Sequence, residues 1–353
     1  MKGLLNGLAA RLEVGGAILI TSEVNRRYLT DLPCAEGWLL ADGEKSLYLT
    51  DFRYGEEVEN FFLGKETAVS VLPAEDFYGA VRKFVDGRPL YVEDGRMTVA
   101  EFQALSEALP ELSLCPLGKR LELLRAVKSE EEIARIAAAQ NLAEQAFLKT
   151  MHFVKVGMTE REFAAELLYE MQRLGAEGTS FDTIVASGVH SSVPHAVVSD
   201  KKFEPGDIVT VDFGARLNGY CSDTTRNFVL GKPNEEQQKI YNLVLKAQKY
   251  ALANIRAGMS CREADSFARE TIAANGYGDC FGHSLGHGLG LEIHEAPRVS
   301  HKSEEVLQEN MVISVEPGIY LKNNFGVRIE NIAVVRAEGL QNLTNLTQEL
   351  LIV

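Results

Sequence analysis

The chain has 353 residues, 46% hydrophobic and 24% charged, a globular composition too long for one ordinary core, so two domains are expected. Its formal net charge of −14 provides no basic stripe for nucleic acid or an anionic membrane, and no stretch reaches the ~20 apolar residues that cross a bilayer. Five scattered cysteines (Cys34, Cys115, Cys221, Cys261 and Cys280) lack CxxC spacing, which argues against a disulfide framework or a thiolate zinc site and for a reducing compartment.

The N-terminal MKGLLNGLAARLEVGG has its apolar run broken by Arg11 and Glu13 and carries no signal-peptide core, so a cytoplasmic protein is expected. β-Rich runs at 17–21, 38–40, 46–50 and 90–92 alternate with helical spacing over 77–85, an α/β pattern. Between 116 and 129 the pattern turns basic and helical. The domain boundary is therefore placed near residue 120, with one domain over 1–120 and a second over 121–353. Ser129 with Glu132 reads as a capping box opening a long helix to about His152.

The second domain carries the marks of a duplication. Val156-Gly157-Met158-Thr159 with Glu162 recurs 101 positions later as Ala257-Gly258-Met259-Ser260 with Glu263. Ile208-Val209-Thr210-Val211-Asp212-Phe213-Gly214 likewise matches Val312-Ile313-Ser314-Val315-Glu316-Pro317-Gly318. Two halves related in this way bring Asp212 and Glu316 to equivalent places at a shared centre.

Asn218-Gly219 between two β-rich runs is a two-residue hairpin signal. That turn sets Leu217 against Tyr220, Gly214 against Asp223 and Asp212 against Thr225. Side chains alternate faces with period two, so Asp212, Gly214, Asp223 and Thr225 share one face. Thr225 is then placed to hydrogen-bond a ligand oxygen. A solvent-facing pair of aspartates is the plainer reading, but the apolar strand DIVTV leaves a buried Asp212 in need of a partner. Glu316 and Glu330 flank a second return through Asn323-Asn324-Phe325-Gly326. They share a face only if that turn has an odd number of residues, so an odd-length turn is predicted. Pro317 marks a strand end or bulge there.

His283 and His287 are four apart, as in a zincin helix, but GHSLGHGLG has four glycines and Ser284 stands where that motif needs Glu. An extended Gly-rich segment is expected instead, with His287 completing a set of five candidate metal ligands: Asp212, Asp223, His287, Glu316 and Glu330. Like charges this close cannot all stay ionised without cations among them. His195, His283 and His294 are suited to hydrogen-bonding an oxyanion or moving a proton. His152, His190 and His301 have no supporting context and are read as structural or surface.

The segments VDFGARLNGYCSDTTR, GHSLGHGLGLEIHE, SVEPG and GVRIEN resemble the successive motifs of the pita-bread metallopeptidases, in their Xaa-Pro peptidase branch of prolidase and aminopeptidase P. LEVGGAILITSEVNRRYLTDL and LYLTDFRY resemble the creatinase-type N-terminal domain of that branch. The resemblance implies a small α/β N-terminal domain and a pseudo-twofold catalytic domain whose antiparallel sheet is covered by helices. It also implies that Asp212 and Asp223 hold one metal, with Asp223 and Glu330 bridging to a second held by His287 and Glu316. By the same resemblance His195, His283 and His294 line the substrate pocket, Arg328 sits beside Glu330 to orient it or contact substrate, and the chain forms a homodimer. Asn331 departs from the family, which often has an acid there, and so does Val189-His190 before VPH.

The implied activity is hydrolysis of the bond before proline in a Xaa-Pro dipeptide, through a hydroxide held between two ions. Glu316 would act as general base, and His294 or His195 would stabilise the oxyanion. Oxygen-rich ligation with one imidazole favours Mn²⁺, with Co²⁺, Fe²⁺ or Zn²⁺ as alternatives. Aminopeptidase P action on longer peptides with proline second is the close alternative. A metal-free creatinase-like amidinohydrolase and a non-catalytic binding scaffold are the more distant ones.

Overall fold

The computed structural model describes residue 5 and residues 7–33 and 36–353, so Cys34 lies outside the described residues. The chain divides into two compact units, Met1–Arg125 and Ala126–Val353.

In the first unit, strands β1 (Ala17–Ile20), β2 (Trp38–Ala41), β3 (Ser46–Thr50), β4 (Ala68–Val71), β5 (Leu90–Val92) and β6 (Leu114–Pro116) form a mixed sheet of order β4-β3-β2-β1-β5-β6. β1 is buried along its whole length, as expected of an unbroken apolar run at the centre of a covered sheet. The helix Phe77–Val85 buries Phe77, Val81, Phe84 and Val85 at helical spacing. Glu93, just beyond β5, accepts from the Thr21 and Ser22 amides at 2.6 and 2.9 Å. It thereby supplies the negative charge that the start of helix Glu23–Thr30 favours.

The second unit opens as its capping signal predicts. Ser129 and Glu132 exchange both bonds of a capping box, and the helix Glu130–Thr150 follows. Fourteen strands then complete the unit. They are β7 (Gly178–Thr179), β8 (Ile184–Ser187), β9 (Ile208–Phe213), β10 (Ala215–Leu217), β11 (Tyr220–Cys221), β12 (Thr224–Val229) and β13 (Gly286–Gly288). After them come β14 (Glu295–Val299), β15 (Val312–Val315), β16 (Gly318–Tyr320), β17 (Gly326–Arg328), β18 (Asn331–Arg336), β19 (Gly339–Asn342) and β20 (Leu351–Ile352).

The duplication is visible in the pairing. One sheet runs β20-β12-β9-β8 and the other β14-β13-β15-β18-β19, so β9 and β15 hold matching inner positions. The amide of Phe203 donates to Met158 at 2.8 Å, and that of Leu307 donates to Met259 at the same distance. Thr159 and Ser260 each cap the following helix, Glu160–Arg173 and Cys261–Ala273. Each half buries one sheet face under two helices. Val209, Val211 and Phe213 of β9 pack with Phe147, Phe163, Leu167 and Met171. Ile313 and Val315 of β15 pack with Ile240, Val244, Ala264 and Ala268. Period two then turns Asp212 and Glu316 to the opposite face.

Lys128 and Glu295 form an ion pair of 2.9 Å with side chains only 1% and 2% exposed. Removing one partner strands a buried charge, so Lys128→Met is expected to lower unfolding free energy by about 3–5 kcal/mol. Chemical denaturation measures it, and a loss below about 1 kcal/mol would contradict the burial argument. No helix among the described residues is long and apolar enough to cross a membrane.

Candidate metal centre

The first hairpin has the register that its Asn-Gly turn dictates. Leu217 pairs with Tyr220 and Asp212 with Thr225. Asn218 takes φ 50° and Gly219 φ 82°, the left-handed geometry of a type I′ turn. Gly214 has no room for a side chain, because a Cβ there would stand 1.9 Å from the Ser222 carbonyl. The chain passes tightly between the two aspartates for that reason.

The second return is odd in length. Tyr320 pairs with Gly326 and Gly318 with Arg328, and the same register continues as Val315 with Asn331. Glu316 therefore stands opposite Glu330, with Pro317 interrupting the ladder between β15 and β16. The glycine-rich segment is extended at β13, as expected, and a Cβ on Gly286 would meet the Ser314 carbonyl at 2.0 Å. That close approach sets His287 beside the carboxylates.

Ligand atoms of Asp223, His287 and Glu330 lie within 4.8 Å of one another. The Nε2 of His287 stands 3.4 Å from Asp223 Oδ2 and 3.5 Å from Glu316 Oε1. Its Nδ1 is 3.0 Å from the Gly288 carbonyl, which fixes the proton there and leaves Nε2 as a lone-pair donor. Ser314 donates to Glu316 Oε1 at 3.1 Å, and Thr225 donates to Glu330 Oε2 at 2.8 Å. Burial pushes the Asp223 and Glu330 carboxyls well above the ordinary range, and the neighbouring carboxylates push them further. Burial also raises Glu316, which His287 and Arg328 partly offset.

Within the cluster two buried oxygens, Asp212 Oδ1 and Glu330 Oε1, have no hydrogen-bond partner. Leaving such atoms orphaned costs about 1–3 kcal/mol each, more for a charge, so they call for a ligand the side chains do not supply. A set of hard oxygens with one oriented imidazole, too crowded and buried for every carboxylate to remain ionised alone, fits divalent cations. The cluster opens into a cavity of about 1050 Å³ lined also by His195, His283, His294, Phe181, Val197 and Ile293.

The model of metallopeptidase family M24 matches residues 134–337, and that of the creatinase/prolidase N-terminal domain matches residues 11–127. The chain belongs to metallopeptidase family M24. It is 40% identical over 336 residues to a Xaa-Pro dipeptidase of Pyrococcus furiosus, covering 95% of this chain and 94% of the relative. A solved Xaa-Pro dipeptidase from Bacillus anthracis superposes with a TM-score of 0.92 at 39% identity, covering 96% and 95% of the two chains. A solved X-Pro aminopeptidase from Thermotoga maritima gives 0.91 at 38% identity, covering 96% and 97%.

In this M24 chain Arg328 bonds Asp212 directly and reaches Glu330 through Thr225, which donates to Glu330 Oε2. Its Nη2 donates to Asp212 Oδ2 at 2.6 Å and its Nε to Thr225 Oγ1 at 3.0 Å. Register explains the direct contact, because Arg328 sits two residues from Glu330 on the same strand path and reaches across to β9. Tyr320, which the sequence does not single out, accepts from Arg328 Nη1 at 2.7 Å and stands 3.1 Å from His283 Nε2. The other His283 nitrogen is 2.8 Å from the Ser284 carbonyl, so both its ring nitrogens are held by protein atoms. Burial drives the His283 pKa down to about 3 and keeps that imidazole neutral. His195 and His294 are exposed toward the cavity, and no described residue hydrogen-bonds either ring. The His294 ring meets that of His287 edge-on at 4.4 Å. Asn331 lies outside the cluster: its Oδ1 accepts from the buried Arg226 at 3.0 Å.

Proposed function

We propose that the chain is a Xaa-Pro dipeptidase that works with two divalent cations, Mn²⁺ first among them. The single observation that carries the metal reading is the pair of buried, partnerless oxygens that Asp212 and Glu330 bring to one cluster. Full-length similarity to Xaa-Pro dipeptidases supports the substrate class. Asp212 and Asp223 would hold one ion, and His287 and Glu316 the other, with Asp223 and Glu330 shared. When bound, the ions acidify a water molecule and polarise the scissile carbonyl.

The chain's own groups do the rest. Glu316, whose carboxyl is raised by burial and so holds a proton more readily, would accept the proton that the attacking water gives up. The partly desolvated site lowers the His294 pKa, with His287 adding to the effect, which favours the neutral ring. That ring is placed to donate to the developing oxyanion, with His195 beside it in the cavity. Arg328 and Thr225 keep Asp212 and Glu330 in place. We further read the protein as a cytoplasmic homodimer. The family resemblance supports the dimer, and the free Cys115, Cys221, Cys261 and Cys280 fit a reducing compartment. Metal analysis tests the centre: about two ions per chain supports it, and none removes it.

The dipeptide preference rests on a cation for the proline carboxylate. Three arginines line the cavity, and Asp212 engages Arg328 while Asp200 engages Arg161. The Arg298 guanidinium donates only to Ser284 Oγ, at 3.0 Å, among the described residues. Arg298→Ala is expected to raise KM for a Xaa-Pro dipeptide about 10- to 100-fold, the worth of one charge-assisted bond. A Xaa-Pro-Xaa tripeptide, whose carboxylate lies further out, should be affected far less. Equal losses on both substrates would favour aminopeptidase action on longer peptides.

A further inference from the structure

A second buried carboxylate stands at the start of helix Glu160–Arg173, away from the candidate ligands. The Glu160 side chain is 0% exposed, and five donors converge on it. Ser187 gives its amide and hydroxyl to Oε1 at 2.8 and 2.9 Å. Ser199 gives its amide and hydroxyl to Oε2 at 3.1 and 2.6 Å. His190 Nδ1 lies 3.0 and 2.9 Å from the two oxygens. Burial alone would raise this carboxyl, but the Ser199, His190 and Ser187 donors outweigh it and hold the pKa below its ordinary value.

Those donors come from both ends of one segment, 187–199, which carries cavity groups in its middle. Ser191 Oγ accepts from the Gly326 amide at 2.9 Å, and the Pro194 carbonyl accepts from Arg328 at 3.2 Å. His195 lines the cavity beyond them. Apolar burial does little to fix this stretch, since Val189, Val193 and Val197 are 53%, 49% and 80% exposed. Its shape depends instead on polar ties, and Glu160 gathers five of them at one point.

We infer that Glu160 is a positioning residue, a buried clasp that joins the two ends of segment 187–199 and thereby sets where His195 and the Pro194 carbonyl stand at the substrate cavity. The kinetic part of this inference rests on the proposed Xaa-Pro hydrolysis; the ordering of the segment does not. In Glu160→Gln the volume is kept, but an NH₂ faces either the Ser187 or the Ser199 amide, and that donor loses its acceptor. On a Xaa-Pro dipeptide, kcat/KM is expected to fall about 10- to 100-fold, as small misplacements of substrate-facing groups do. Manganese content should stay at the wild-type value.

Hydrogen exchange should quicken across 187–199 while Ile208–Phe213 and Val312–Val315 exchange at the wild-type rate. Wild-type kinetics with wild-type exchange overturn the inference. So does exchange that quickens throughout the domain, which marks Glu160 as a general stabiliser. If Glu160→Gln does not fold, Ser199→Ala removes one hydroxyl donor and leaves the backbone intact. The same local pattern at smaller size is then expected, and its absence overturns the clasp. The unmutated protein separates the two readings: its failure to cleave the dipeptide sinks the hydrolase, whereas exchange reports on the clasp without substrate.

Discussion

Asp223→Asn is expected to lower Xaa-Pro hydrolysis by roughly 10³-fold or more, the worth of about 4 kcal/mol of lost charge stabilisation at the reacting centre. Asp223 is 4% exposed and its Oδ2 lies 3.4 Å from the imidazole expected to share an ion with it. Asparagine preserves shape and removes the charge. The backbone around it should hold, since Thr224 and Thr225 remain paired with Phe213 and Asp212 across the hairpin. Circular dichroism should therefore match the unmutated chain, and metal analysis should show less than two ions bound. Full turnover by this variant, with wild-type metal content, would remove Asp223 from the site and the proposed chemistry with it.

The parts of this site that could be read in the sequence are those that local chemistry dictates. Asn218-Gly219 selects one turn, and one turn fixes which residues face each other, so Asp212 and Thr225 were predictable as partners. The demand that Glu316 and Glu330 share a face gave the parity of the second turn, and Tyr320 pairing with Gly326 meets it. Ser129 and Thr159 announced their helices through the capping box. The contacts that escaped notice depend on reach between strands. Nothing local says that Arg328 crosses to Asp212, or that Tyr320 joins it to His283. His190, read as structural or surface, is structural, but its partner Glu160, 30 positions away, could not be named from local sequence. Glu160 directly follows Thr159, the last residue of the repeated motif, but the second copy has Cys261 at that place, so the repeat does not single it out.

Stripping the metal should leave a chain whose stability falls as pH rises, relative to Asp223→Asn. The Asp223, Glu330 and Glu316 carboxyls are all raised, chiefly by burial. In the unfolded chain these groups lose their protons near pH 4. Above that pH the folded apo state still holds protons that the unfolded state has released, so folding is favoured less with every step upward through the raised values. His283 and His294 work the other way, because burial lowers them and the unfolded imidazole binds a proton below about pH 6.5. Their contribution is common to both proteins and cancels in the difference. Between pH 5 and 8, the thermal midpoint of chelated wild-type protein should thus drop relative to that of Asp223→Asn. With excess Mn²⁺ the wild-type trend should reverse, since cations bind the deprotonated carboxylates and stabilise the native state more as protons leave. Parallel curves for the two chelated proteins would mean that Asp223 is not held protonated by its neighbours, and the electrostatic case for a cation among these carboxylates would fail.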